Sequence, residues 1–294
     1  GAGEDPYLGS LIAAARVKGF QGKGFGNTDA VMACVKHFAA YGAAEAGRDY
    51  NRVEMSRREL NEIYLRPFKA AVDAGAATLM NSFNDINGIP ATGNKYIQRE
   101  VLKGEWKFDG FVVSDWGSIG EMVNHGFSKD CYQAAQQAIT AGSDMDMESR
   151  CYIGSLAQLV KDGKVDERLV DDAVRRILTK KFEMGLFDDP YRFSDPERAK
   201  QQWDNKANLE ASRDMAKKSI VLLKNDNQLL PLDTKRKTIA MIGPMVKAVR
   251  DNLGFWSYSW PDDTARIVTH WQGISNRAGK NVKMVYAKGC DINS

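Results

Sequence analysis

The stretch GFVVSDWGS, Gly110 to Ser118, places a carboxylate beside a large aromatic and a flexible glycine directly after an apolar run. Gly110, Phe111, Val112 and Val113 read as a buried parallel strand, and α/β folds set their chemistry at the carboxyl ends of such strands. An Asp there also caps helices, and taken alone Asp115 reads better as a cap. Three further apolar runs end in polar residues: Lys36-His37, Ser82 with Asn84-Asp85, and Asp144 with Asp146. In a barrel these ends converge on one mouth although they lie far apart in sequence. A carboxylate near Lys, His and Trp suits a sugar: cation and imidazole hydrogen-bond hydroxyls, and the indole stacks on the pyranose face. Structural use is the alternative for each pair, with His37 as a core histidine and Lys36 pairing a barrel carboxylate.

The elements that must position these residues alternate strand and helix. A helix is expected after Asp5-Pro6, with Leu8, Leu11, Ile12 and Ala15 on one face. Val31 to Phe38 reads as a strand. A capping box, Ser56 and Glu59, opens a helix with Leu60, Ile63, Tyr64, Phe68, Ala71 and Val72 at helical spacing, interrupted at Pro67. Strands follow at Ala77–Ser82, Gly110–Ser114 and Ser143–Met147. Helices are expected at Tyr96–Gly104, Cys131–Ala141, Ile153–Lys161 and Glu167–Met184. Repeated βα units imply parallel strands with right-handed crossovers. About four strands are too few to close an eight-stranded barrel. The α/β pattern is therefore an open sheet or part of a barrel whose beginning is missing. A chain opening in GAGEDPYL, with no starting Met, favours the second.

From Phe187 to Trp203 the Asp, Pro, Arg and Gln content reads as a surface connector. A helix at Asn208–Ser219, a strand-like run at Ile220–Asn225, and strands at Thr238–Pro244 and Lys283–Gly289 describe a second, incomplete α/β unit. Gly243-Pro244 lacks the glycine spacing of a phosphate loop and reads as an ordinary strand end.

Composition narrows the classes. Of 294 residues, 43% are hydrophobic and 27% charged, and the net charge is +3, with the basic residues dispersed rather than forming a nucleic-acid track. No apolar run reaches the length of a membrane span. The four cysteines show no metal-like spacing with the three histidines. Cys34 reads as a small core residue, and pairing of Cys131 with Cys151 is left open.

KHFAAYG (Lys36 to Gly42), GRDYN (Gly47 to Asn51), NDINGIPAT (Asn84 to Thr92) and GFVVSDWGS together resemble glycoside hydrolase family 3, most nearly its bacterial periplasmic-type β-glucosidases. GEDPYL, GLFDDPY, VLLKN, LPL, IGP and YAKG fit in order along nearly the whole chain. The resemblance implies residues 1–190 as the C-terminal part of a (β/α)8 TIM-type barrel, 191–219 as a linker and 220–294 as the beginning of an α/β sandwich domain. It implies a retaining, exo-acting β-glucosidase without metal or cofactor, acting on β-glucosides or short β-linked glucan oligosaccharides. Asp115 matches the nucleophile. Lys36 and His37 match residues that grip the sugar hydroxyls, Phe83 faces the sugar site, and Trp116 and Trp256 match the aromatics of the sugar clamp. The expected location is periplasmic or secreted, with a signal peptide upstream. A homodimer is left open.

Three departures qualify the match. Phe83 stands where family members often carry Tyr, and Phe cannot donate a hydrogen bond to the nucleophile. The family's opening barrel strands, with a sugar-binding Asp and Arg, would precede Gly1. Its acid/base Glu would follow Ser294, and no residue of this chain matches it; Glu121 and Glu148 read as surface residues. The isolated chain is thus expected to be inactive and poorly stable. The N-acetylglucosaminidase branch is excluded, because the loop AAYGAAEAGRDYN holds no histidine. Alternatives are a β-xylosidase or α-L-arabinofuranosidase of the same family, and a non-catalytic carbohydrate-binding relative.

Overall fold

Asp5 starts the first helix as expected: its carboxylate accepts from the Tyr7 N–H at 2.8 Å, and Pro6 occupies the first turn, where its missing N–H has no cost. The computed structural model describes residues 2–203, 205–233, 237–254 and 267–292. They divide into two compact units, Gly1–Lys200 and Gln201–Ser294.

In the first unit, helix α1 (Pro6–Gln21) precedes strand β1 (Cys34–Phe38). The α1 face expected to be buried is not: Leu8 and Leu11 are 46% and 53% exposed, and Val17 and Gln21 carry its burial instead. The Gln21 carboxamide donates to the Gly75 carbonyl at 2.8 Å and accepts the Ala33 and Ala77 N–H groups at 3.1 and 3.0 Å. One buried side chain thereby aligns the entries of two strands.

Helix α2 (Arg57–Glu59) begins with Ser56 accepting the Glu59 N–H at 3.1 Å. A π-helical turn, Leu60–Tyr64, separates it from α3 (Leu65–Asp73). This wider turn lies directly ahead of Pro67, which has no N–H to donate, so the expected interruption is present. Strand β2 (Thr78–Asn81) leads into a hairpin of β3 (Asp85–Ile86) and β4 (Ile89–Pro90). Asn87 and Gly88, with φ of 52° and 82°, make its turn. A π-helical segment, Tyr96–Glu105, precedes β5 (Phe111–Val113).

Strands β1, β2 and β5 form a parallel sheet in that order. Gly110 enters β5 so close to β2 that a Cβ there would lie 2.0 Å from the Ala77 carbonyl oxygen. The strand expected at Ser143–Met147 is reduced to one parallel bridge, Met145 to Val113. Helices α4 (Ser118–Asn124), α5 (Cys131–Ala141), α6 (Cys151–Lys161) and α7 (Glu167–Glu183) follow. Arg176 of α7 donates to the Phe108 and Gly110 carbonyls at 2.8 Å each, fixing the start of β5.

One hydrophobic core gathers Phe38, Leu79, Val112, Ile97 and Leu102 around the sheet, and a second gathers Ile119, Met122, Ile139 and Leu159 among α4 to α6. A disulfide joins Cys131 to Cys151. Cys34, expected in the core, is exposed. It lines a groove of about 790 Å³ between α1, β1 and α3 with Phe20, Val31, Ile63 and Phe68.

The stretch expected as a plain connector contains helix α8 (Pro196–Trp203), started by Asp195 accepting the Glu197 and Arg198 N–H groups at 3.0 Å. Helix α9 spans Lys206–Ser219. The strand-like Ile220–Asn225 forms no strand: Ile220 is 77% and Leu223 90% exposed, and no described strand runs beside it. An apolar run becomes a strand only beside a partner. In the second unit β6 (Thr238–Ile242) and β7 (Lys283–Ala287) pair in parallel, with α10 (His270–Ala278) between them in sequence. Among the described residues no helix is long and apolar enough to cross a membrane.

Candidate active site

Asp115 begins the turn after β5. Its carboxylate caps no helix: the residue before α4 is Gly117, in a left-handed conformation with no side-chain cap. Burial leaves Asp115 7% exposed. Oδ1 accepts the Trp116 N–H at 2.7 Å, and Oδ2 lies 3.3 Å from His37 Nε2. The capping alternative is thereby removed, and one carboxylate is aimed by its own backbone and by an imidazole from β1.

The turn itself is held from two sides. Asn81, fully buried at the end of β2, accepts the Asp115 N–H at 3.2 Å and the Thr92 and Ser118 hydroxyls at 3.1 and 3.4 Å. The Met145–Met147 segment takes the other side. Its Met145 carbonyl accepts the Ser114 N–H and its Met147 carbonyl the Gly117 N–H, both at 2.8 Å, while the Met147 N–H donates to Ser114 Oγ at 2.8 Å. Such a fully paired network leaves little freedom at Asp115.

His37 comes from β1, whose register slips between Val35 and Phe38. Burial pushes its pKa below the ordinary value, reinforced by Lys36; the charges of Asp115 and Asp49 oppose it. The imidazole is held toward its neutral form, a donor through one nitrogen. Lys36 Nζ lies 3.8 Å from Met80 Sδ and makes no ion pair among the described residues, so the carboxylate pairing considered for it is not formed.

Phe83 is buried, its ring 4.6 Å from Tyr50 and 6.4 Å from Tyr41, and Tyr41 stands 5.1 Å from His37. Trp116 follows Asp115 with 57% of its surface exposed. Burial and the Asp115 charge raise the Glu121 carboxyl, and Glu121 in turn raises the Tyr50 phenol after burial has done so. Trp256 lies outside the described residues.

The other strand ends are structural. Asp144 is locked to Lys103 at 2.5 Å and accepts the Val112 N–H at 2.8 Å. Asp146 accepts the Ser149 hydroxyl and the Tyr152 N–H at 2.6 and 3.1 Å, closing the turn before α6. Ser82 donates to the Ala39 carbonyl at 3.0 Å, and Asp85 accepts the Gly88 N–H at 3.1 Å in the hairpin. Sequence reasoning missed Asn81, whose position one residue before Ser82 at a strand end was the available signal. It also gave no role to Tyr41, Asp49 and Tyr50 within the quoted motifs. Among the described residues no group of three or more His, Cys, Asp and Glu could hold a metal ion.

Residues 1–180 match the glycosyl hydrolase family 3 N-terminal domain and residues 220–292 its C-terminal domain. The chain belongs to glycoside hydrolase family 3. It is 41% identical to a periplasmic β-glucosidase of Salmonella typhimurium, over 99% of this chain and 38% of that protein. It is 36% identical to a β-xylosidase of Formosa agariphila, over 99% of this chain and 42% of that protein. The crystal structure of a Listeria innocua β-glucosidase in complex with isofagomine superposes with a TM-score of 0.85 at 40% identity, over 99% of this chain and 40% of that one. The chain therefore spans about two fifths of the length of these two curated relatives. Family 3 membership makes the first unit a TIM-like α/β domain, in keeping with its parallel sheet and following helices.

Proposed function

We propose that this chain carries the nucleophile side of a retaining, exo-acting β-glucosidase. The observation that carries the reading is Asp115: a nearly buried carboxylate at a strand end, with one oxygen on its own backbone and the other toward His37. A carboxylate held this way can attack an anomeric carbon and form a glycosyl-enzyme. Lys36 and His37 grip the hydroxyls of the terminal glucose, Phe83 walls the site, and Trp116 stacks on the sugar, with Trp256 proposed as a second clamp. Retention requires a second carboxyl about 5–5.5 Å from the nucleophile. Glu121 does not fill that role; the acid/base comes from outside this stretch. Strands β1, β2 and β5, with Met145 continuing their order, are read as successive strands of a TIM-type barrel.

The substrates are β-glucosides or short β-linked glucan oligosaccharides, in line with the names of the Salmonella and Listeria relatives. The disulfide between Cys131 and Cys151 favours an oxidising compartment, and the periplasm or exterior is proposed. A 2-fluoro glucoside should trap the glycosyl-enzyme in the full-length protein. The labelled peptide is expected to contain Asp115, and a label elsewhere removes the assignment.

A β-xylosidase is the second reading, favoured by the 36% identity to the Formosa enzyme. Nitrophenyl glucoside, xyloside and arabinofuranoside separate the two, and a preference for xyloside overturns the glucoside assignment.

A further inference from the structure

We propose that Tyr41 and Asp49 form a latch that sets the orientation of His37, and through it that of Asp115. Among the described residues no hydrogen bond holds the other ring nitrogen of His37. Its orientation depends on the Asp115 contact at 3.3 Å and on Tyr41, whose ring is 5.1 Å away and tilted by 44°. The Tyr41 hydroxyl donates to the Asp49 carboxylate in a short hydrogen bond. Asp49 is held in turn by the Tyr50 N–H at 3.1 Å, and the Tyr50 ring lies 4.6 Å from Phe83, which stands 6.4 Å from Tyr41. The contacts close on themselves: His37, Tyr41, Asp49, Tyr50, Phe83 and back to Tyr41.

Two features give this ring of contacts a role beyond folding. Asp49 and Tyr50 are exposed, and exposed side chains usually contribute little to stability. Yet the loop is drawn into an unfavourable backbone state to reach the site, since Tyr50 has a φ of 61°, where a side chain costs energy. In addition, Asp49 has no ion-pair partner among the described residues, so its charge is available to the imidazole. That charge acts against the burial and the Lys36 charge that disfavour protonation of His37. Tyr41 and Asp49 touch neither sugar nor nucleophile in this proposal; they are positioning residues.

The proposal rests on Asp115 being the nucleophile and is tested in the full-length protein by the single-turnover rate of glycosyl-enzyme formation from 2,4-dinitrophenyl β-glucoside. Tyr41→Phe and Asp49→Ala should each slow that step about 10-fold, the scale of one hydrogen bond to a charged group, with a smaller change in KM. The double variant should be no slower than either single one, because both remove the same bond. Asp49→Asn should recover part of the rate relative to Asp49→Ala, since an amide oxygen still accepts the phenol proton but brings no charge to the imidazole. In a His37→Ala background, Tyr41→Phe should cause no additional loss. An unchanged rate in Tyr41→Phe overturns the latch, as does a further loss in the His37→Ala background or a slowing matched by a fall in Tm. An Asp115→Asn control separates the two claims. Retained turnover there removes the site reading on which the latch rests, whereas its loss beside an unaffected Tyr41→Phe removes the latch alone.

Discussion

Asp115 and Asp144 occupy comparable places, each just past an apolar run of the same unit, and their surroundings are opposite. Asp144 and Lys103 are almost wholly buried, with side chains 2% and 4% exposed and a 2.5 Å contact. Both Asp144 oxygens are in use, one on Lys103 and one on the Val112 N–H. The burial is severe enough to lower the Lys103 pKa to about 8 in spite of the partner carboxylate. Among the described residues Asp115 has no Lys or Arg partner; it faces an imidazole held toward neutrality and a backbone N–H. A carboxylate becomes available for chemistry at a strand end when no cation neutralises it and its turn is held by other groups. Position alone does not distinguish the two.

The largest expected effect follows from that contrast. Asp115→Asn should lower turnover of dinitrophenyl β-glucoside by at least about 10⁴-fold, because a neutral amide cannot act as the nucleophile. The same variant should melt within a few degrees of the parent, since no buried cation is left unpaired. Activity within tenfold of the parent would mean that the open carboxylate is not the reacting one.

Asp144→Ala tests the other half. Removing it strands a buried ammonium, and breaking a buried pair from one side costs about 3–5 kcal/mol. Urea unfolding should show this as a lower midpoint, while turnover per folded molecule stays within a few-fold. Should Asp144→Ala instead abolish turnover at unchanged stability, the division into a structural and a reactive strand end would be wrong.

The contrast also shows how much was legible in the sequence. Helix α5 was readable to the residue because its start and stop signals are both local: Asp130 accepts the Gln133 N–H, and Gly142 takes a left-handed φ of 116°. Asp115 stood out because a short motif carries it, and the structure sets its carboxylate 3.3 Å from His37. Asp144 read as one more polar strand end with no structural role, since its partner Lys103 lies in a separate helical segment and no local pattern announces the pairing. Tyr41 and Asp49 escaped for the same reason, their contacts arising only when the loop folds back on His37. Ile220–Asn225 shows the converse limit: its composition is that of a strand, but strand formation depends on a neighbour that the run itself cannot specify.

The Cys131–Cys151 bridge encloses Asp144 and Asp146 and ends next to the segment that clamps the Asp115 turn, so it bears on both strand ends. With 20 residues of separation, its loss should cost about 3 kcal/mol in the loop-entropy account. A Cys131→Ser/Cys151→Ser double variant should show that loss in urea, and faster hydrogen exchange at the Ser114 and Gly117 amides that donate to Met145 and Met147. Unchanged exchange at those amides would confine the bridge to helix packing between α5 and α6.

The smallest expected effect is the pH dependence below neutrality, which arises at the Asp115 end, since the lowered Lys103 pKa of about 8 acts at higher pH. Burial, with Lys36 adding to it and Asp115 and Asp49 opposing, lowers the His37 pKa below its ordinary 6.5. Between the folded value and 6.5 the unfolded chain therefore binds more protons than the native one, and stability rises with pH there. The contribution is fully present above 6.5 and is lost as the pH falls through the folded value. Glu121 acts with the opposite sign: its raised pKa makes the native state bind more protons between 4.5 and its folded value, so stability falls with rising pH in that window. Urea midpoints from pH 4 to 8 (roughly the span over which these two groups titrate) separate them. His37→Gln should flatten the rise below pH 6.5, and Glu121→Gln should steepen it. A His37→Gln profile parallel to the parent would show that the imidazole titrates as it does in the unfolded chain, and that burial beside Asp115 does not hold it neutral.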